Sequence, residues 1–142
     1  MNEDPLEDAL RQMSADYLKH TLDAFPMEFS VIDADDKVLF WNQHESRIFR
    51  RPYGVLGRNV RNCHPEKSLD KVLEVIEALR SGERDHVDFW IDLPEDDEPR
   101  KLLIRYFAIR DDEGNYLGTL EATLNLTPLQ SIAGENRLGD FK

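Results

Sequence analysis

Residues 86–126 constrain the fold more than any other part of this chain. They hold three β-rich runs, HVDFWIDL (86–93), KLLIRYFAI (101–109) and YLGTLEATLNL (116–126), separated only by short polar turns. In the first, Val87, Phe89, Ile91 and Leu93 alternate with His86, Asp88, Trp90 and Asp92, the period of two expected of a strand with unlike faces. The second is apolar on both parities, as suits a central strand covered from two sides. In the third, Tyr116, Leu120, Ala122, Leu124 and Leu126 share one parity, and Leu117, Thr119, Glu121, Thr123 and Asn125 share the other. The linking segments 95–98 and 111–115 are too short for the crossover that a parallel pair requires, so the three strands must run antiparallel.

The first half supplies the remaining elements. MEFSVID and KVLFWN form a second hairpin around the turn Ala34-Asp35-Asp36. Residues 43–67 are polar and poorly periodic, with room for short helical turns. Ser68 is placed to cap a helix whose buried face is Leu69, Val72, Leu73, Ile76 and Leu79, and Gly82 is placed to end it. At the N-terminus, Asp4 caps, Pro5 fits the first turn and Glu7 stands three residues after the cap. Leu6, Leu10, Met13 and Tyr17 follow as one apolar stripe of a helix that runs to Pro26. The element order predicts an α/β (α+β) domain: a five-stranded antiparallel sheet, helices on one face and an N-terminal helix outside the core. The expected organisation is an amphipathic flanking helix over 1–25, a domain over 26–127 and a C-terminal tail over 128–142.

Charge narrows the functions. Eighteen Lys and Arg against 29 Asp and Glu leave a net charge of −11, which repels nucleic-acid backbones and anionic membranes. No apolar run approaches the roughly 20 residues needed to span a bilayer, and the acidic start MNEDPLED is unlike a secretory signal. One cysteine excludes an internal disulfide, consistent with a reduced, cytoplasmic setting. The acidic runs 33–36, 95–98 and 111–113 lack the spacing of a helix-flanked calcium loop. No Gly-rich phosphate loop, G-x-S-x-G or H-E-x-x-H is present, so an enzyme acting on a small molecule is the weaker alternative.

Element order and several sequence words together resemble a PAS domain over about residues 22 to 127. FSVIDADDKVLFWN is similar to the family's opening hairpin, and GVLGRNV to the turn that leads into a Gly-Arg pair. IRYFAIRDDEGNYLGTLEATLNLT resembles the closing hairpin, with Asn125-Leu126-Thr127 where the family has an Asp-aliphatic-Thr exit motif. NCHPEKS and DFWI resemble the PAS subtype found beside hemerythrin-like domains, although no hemerythrin-like segment is present. About fifteen residues follow Thr127, too few for a kinase, cyclase or DNA-binding effector. The resemblance therefore implies a stand-alone sensor or interaction module, or a piece of a larger sensor.

It also frames the candidate sites. Flavin photosensors of the family attack their cofactor with a cysteine that aligns here with Val60, so that photochemistry is not expected; Cys63 lies three residues later. Haem is the alternative, with His64 as axial ligand and Cys63 as an outside choice. The competing reading has Cys63-His64 turn the corner before the helix, His64 bonding loop backbone next to Pro65. A third possibility is a small organic ligand in a pocket walled by one parity of each strand. Its candidate residues are Phe40, Asn42, Phe89, Ile91, Leu103, Arg105 and Leu120, the parity that faces inward being open. Arg105 would favour a carboxylate ligand if buried, and an outer-surface ion pair if not. The expected partners are a second copy of the chain, through the N-terminal stripe and outer sheet face, and an unidentified signalling protein.

Overall fold

In a computed structural model, residues 4–44, 47–62, 66–94 and 99–140 are described, with the side chains of residues 66 and 67 excepted. Two helices, α1 (Pro5–Gln12) and α2 (Ala15–Ala24), precede strands β1 (Glu28–Asp33) and β2 (Val38–Trp41). Two 3-10 turns, Tyr53–Val55 and Val60–Asn62, lead to α3 (Glu66–Arg80). Strands β3 (His86–Leu93), β4 (Arg100–Arg110) and β5 (Tyr116–Asn125) follow, then a single turn α4 (Thr127–Gln130) and a 3-10 turn Leu138–Asp140. The five strands form one antiparallel sheet in the order β2-β1-β5-β4-β3. Among the described residues no helix is long and apolar enough to cross a membrane.

The N-terminal helix expected to run unbroken to Pro26 is two helices. Ser14 sits in extended backbone and its hydroxyl accepts from the Tyr17 N–H at 3.0 Å, capping α2 and breaking the chain direction at Met13. Neither helix buries a residue, and Leu6, Leu10 and Tyr17 are 75, 53 and 61% exposed. Ser68 likewise falls inside α3, two residues after its first turn begins, and is not its cap. Gly82 ends that helix as expected, in left-handed backbone at φ 83°.

In β1 and β5 alternation is inverted relative to polarity, whereas β3 and β4 turn apolar residues such as Phe89, Leu102 and Ile104 to the same inner face. Ser30 pairs with Glu121 and Ile32 with Thr119, while Tyr106 also pairs with Glu121, so these side chains share one face. That face lies under α3, whose Ile76 and Leu79 are buried, and Ile76 closes the core with Ile32, Val38, Trp41 and Val60. Burying each such aliphatic side chain stabilises the fold by about 1.5–3 kcal/mol. The apolar parity of β1 and β5, Phe29, Val31, Leu120 and Leu124, points to the opposite, outer face.

Two close approaches fix the frame. Gly118 lies against β1 so tightly that a Cβ there would sit 2.1 Å from the Ile32 carbonyl oxygen. Asp36, buried at a positive φ of 65°, accepts from the Arg80 guanidinium and ties the β1–β2 turn to the end of α3. The Arg80 and Arg110 guanidinium groups lie 5.3 and 6.0 Å from the centre of the Tyr116 ring, and Arg110 donates to the Leu79 carbonyl.

Candidate functional site

Between the sheet's inner face and α3 lies a small cavity. Its walls are Ile32, Val38, Val60, Val72 and Ile76 on the apolar side, and Ser30, Arg51, Tyr106, Thr119 and Glu121 on the polar side. The space open to the centre of a water molecule is about 20 Å³, enough for a water or two. A drug-sized ligand requires a pocket of about 300 Å³ or more. The described core therefore does not fit a haem or a flavin in this conformation. Val60, at the position of the flavin-adduct cysteine, is buried in the wall and offers only hydrocarbon.

The polar end is a network of buried charges. Glu28 accepts from the Ile48 and Phe49 N–H groups at 2.7 and 3.1 Å and lies 3.8 Å from the Arg47 guanidinium. Arg47 donates to the carbonyls of Phe49, Phe29 and Asn42 and, at 3.1 Å, to the Ser30 hydroxyl. Arg51 donates to the same hydroxyl at 3.0 Å and stands 3.6 Å from the Glu121 carboxylate. Two guanidinium groups and two carboxylates balance, which is what makes their burial tolerable. Burial holds the Arg47 guanidinium below its usual value, with Glu28 opposing that shift and the like charge of Arg51 adding to it. Burial pushes the Tyr106 phenol upward, and the Glu121 carboxylate beside it adds to the rise.

Asn42, one of the pocket candidates, serves a different purpose. Its side chain is fully buried; the amide NH₂ donates to the Leu22 and Met27 carbonyls at 3.1 and 2.9 Å, and Oδ1 accepts from the Phe29 N–H at 2.8 Å. It latches the last turn of α2 to β1. A continuous polar path thus runs from the cavity wall at Ser30, through Arg47 and Asn42, to Leu22 of α2.

The other candidates separate by face. Leu103, Arg105, Leu120 and Phe40 stand on the outer face: Leu103 pairs with Trp90, Arg105 with Asp88, and Leu120 and Phe40 both with Val31, all on the parity opposite to the buried Ser30 and Ile32. Arg105 makes the ion pair with Asp88 at 3.1 Å and lies over the Phe107 ring at 4.8 Å, so it holds no buried charge for an inner ligand. Phe89 and Ile91 share the inner parity but lie on the edge strand and are partly exposed; Phe89 meets the Tyr106 ring edge-on at 5.8 Å. Cys63 and His64 lie outside the described residues. Of the other histidines, His20 faces Asp16 at 3.4 Å and His86 stacks on Phe107 at 5.7 Å. Among the described residues no group of three or more His, Cys, Asp or Glu side chains is arranged to hold a metal ion.

Sequence reasoning missed Glu28, Ser30, Arg47, Arg51 and Glu121. The one available signal was parity: Glu28, Ser30 and Ile32 alternate with Phe29 and Val31, and only the register shows that the more polar set faces inward.

The family model for PAS domains matches residues 18–127. A C-terminal domain from Streptococcus mutans is 31% identical, with a TM-score of 0.77 over 85% of this chain and 91% of its own. The PAS domain of BvgS from Bordetella pertussis superposes with a TM-score of 0.53 at 18% identity, over 91% of this chain and 93% of its own. A PAS domain from Colwellia psychrerythraea gives 0.57 at 13% identity, over 88% and 99%. No protein of curated function matches the sequence. The matched span takes in the whole sheet, α3 and the buried network, and the chain belongs to the PAS domain family.

Proposed function

We propose that the chain is a sensing and interaction module that reports the state of its inner cavity to the N-terminal helices. PAS domains are in general sensory and non-catalytic, and we read this one as non-enzymatic. A single observation carries the reading: the Ser30 hydroxyl, on the cavity wall, accepts from both Arg47 and Arg51, and Arg47 continues through Asn42 to the Leu22 carbonyl of α2. An occupant that draws Arg51 or Ser30 away from this arrangement changes the latch that holds α2. The exposed stripe of α1 and the apolar outer sheet face then pass the change to a second copy of the chain or to a signalling partner. Net charge speaks against nucleic acid as that partner, and a single cysteine suits a reduced, cytoplasmic site of action.

The test is hydrogen exchange along α2 in the native chain and in Ser30→Ala. Losing the shared acceptor should speed exchange of the α2 amides about tenfold, the equivalent of roughly 1.4 kcal/mol. Faster exchange confined to β1, with α2 unchanged, would show that no coupling reaches the helix.

A further inference from the structure

Gln43, His44, Arg47, Arg50 and Arg51 line one open cleft of about 340 Å³. Three arginines within five positions run against the charge of a chain that is −11 overall. Arg47 and Arg51 are balanced by Glu28 and Glu121, whereas Arg50 is exposed and makes no ion pair among the described residues. Among the described residues the cleft is therefore cationic on balance.

Arg51 belongs to two places at once. It lines this outer cleft and also walls the inner cavity, so its side chain is the partition between them. Among the described residues its hold on the inner side is loose: Nε donates to Ser30, and the Glu121 carboxylate stands 3.6 Å from Nη2, an ion pair longer than a good hydrogen bond. Behind the partition one side of the wall is hydrocarbon, formed by Ile32, Val38, Val60, Val72 and Ile76, opposite the polar side of Ser30, Tyr106, Thr119 and Glu121. An inorganic anion would be satisfied by the cleft but has no use for that wall; a neutral apolar molecule suits the wall but ignores the arginines.

We propose that the cleft admits and anchors a small monocarboxylate with a short apolar tail. Its carboxylate pairs with Arg51 and Arg50 in place of Glu121, and the tail enters the cavity by displacing Val60 and Val72. The proposal rests on the reading of the cavity as the sensing site. A guanidinium fork matches a carboxylate in two parallel bonds, which supplies the orientation that an apolar wall cannot. Arg47 is already depressed by burial and by the like charge of Arg51, and a second anion at the cleft relieves that repulsion.

The probes are hexanoate, hexanol and inorganic phosphate, titrated into the full chain at neutral pH and followed by backbone amide shifts. Hexanoate should bind at least tenfold more tightly than either of the others and shift amides in both the cleft and the α3 side of the cavity. Glu121→Gln removes the competing carboxylate and should tighten hexanoate severalfold; Arg50→Gln, at an exposed position, should weaken it severalfold. Arg51→Gln should abolish binding, and the two other variants carry the test if it does not fold. Hexanol binding as tightly as hexanoate would overturn the carboxylate assignment while leaving the cavity as a sensing site. Phosphate equal to hexanoate would reduce the cleft to an anion site unconnected with the cavity. No binding of any probe to the folded chain, or weaker hexanoate binding in Glu121→Gln, would overturn the proposal, and the first of these would also remove small-ligand sensing from the cavity.

Discussion

Replacing Asn42 with alanine should cost more stability than any surface substitution in this domain. The amide makes three short bonds, to the Leu22 and Met27 carbonyls and from the Phe29 N–H, and none of its surface is exposed. Each bond contributes about 1 kcal/mol net, and a backbone group left buried without a partner costs about 1–3 kcal/mol. Some of that is recovered where water reaches the vacated space, so Asn42→Ala should lose about 3–4 kcal/mol. For a chain of this length that is a fall in Tm of about 10 °C or more. Asn42→Leu separates the causes, since it keeps the volume and removes the bonds. Urea unfolding followed by the fluorescence of buried Trp41 measures both. Both variants should unfold at clearly lower urea than the native chain, with Asn42→Leu recovering only the packing part. If Asn42→Leu lies within about 1 kcal/mol of the native protein, packing holds α2 to β1 and the hydrogen bonds do not.

Gly118→Ala should fail to fold or lose at least about 3 kcal/mol by circular dichroism, because the new Cβ meets the Ile32 carbonyl backbone, which cannot yield; a native-like melt would refute this. Asp23 is held below its ordinary value of 3.8, first by the Gln43 N–H and also by Lys19, while partial burial pulls the other way. A depressed carboxylate stabilises above its unfolded value and loses that contribution as pH falls through the folded one. The Tm gap between the native chain and Asp23→Asn should therefore be open at pH 6 and close below about pH 4, and a gap independent of pH would contradict it. Leu6→Lys combined with Leu10→Lys should turn a dimer into a monomer by light scattering, and a native chain already monomeric at high concentration removes that interface. Freshly purified protein should show neither a Soret nor a flavin band; a Soret band would return attention to His64.

The strands were legible because period-two alternation and acidic turns are local signals, and HVDFWIDL forms β3 at the expected residues. Gly82 was legible for the same reason, since a helix end in left-handed backbone selects glycine. The break at Met13-Ser14 was not, because Ser14 offers a cap without interrupting the apolar spacing of Leu10, Met13 and Tyr17. Buried charges were the largest omission. Arg47 and Glu28 carry no sequence mark that distinguishes them from solvated residues, and their burial depends on pairing across eighteen or more positions of chain. For that reason the sequence singled out Arg105, which pairs with Asp88, and passed over the buried pairs of Arg47 and Arg51.

The inverted faces of β1 and β5 have a calorimetric consequence. A domain that turns Ser30, Thr119, Glu121 and Thr123 toward its helices leaves Phe29, Val31, Leu103, Leu120 and Leu124 to the other side, where only a neighbour can dehydrate them fully. On the proposed pairing of two chains through this face, part of the hydrophobic stabilisation would be collected on association and not on folding. With a second copy as that neighbour, the heat capacity of association is negative, and the melting temperature climbs with protein concentration. Under that proposal dilution alone would act as a mild denaturant, through the face of the sheet that a single chain leaves unfinished.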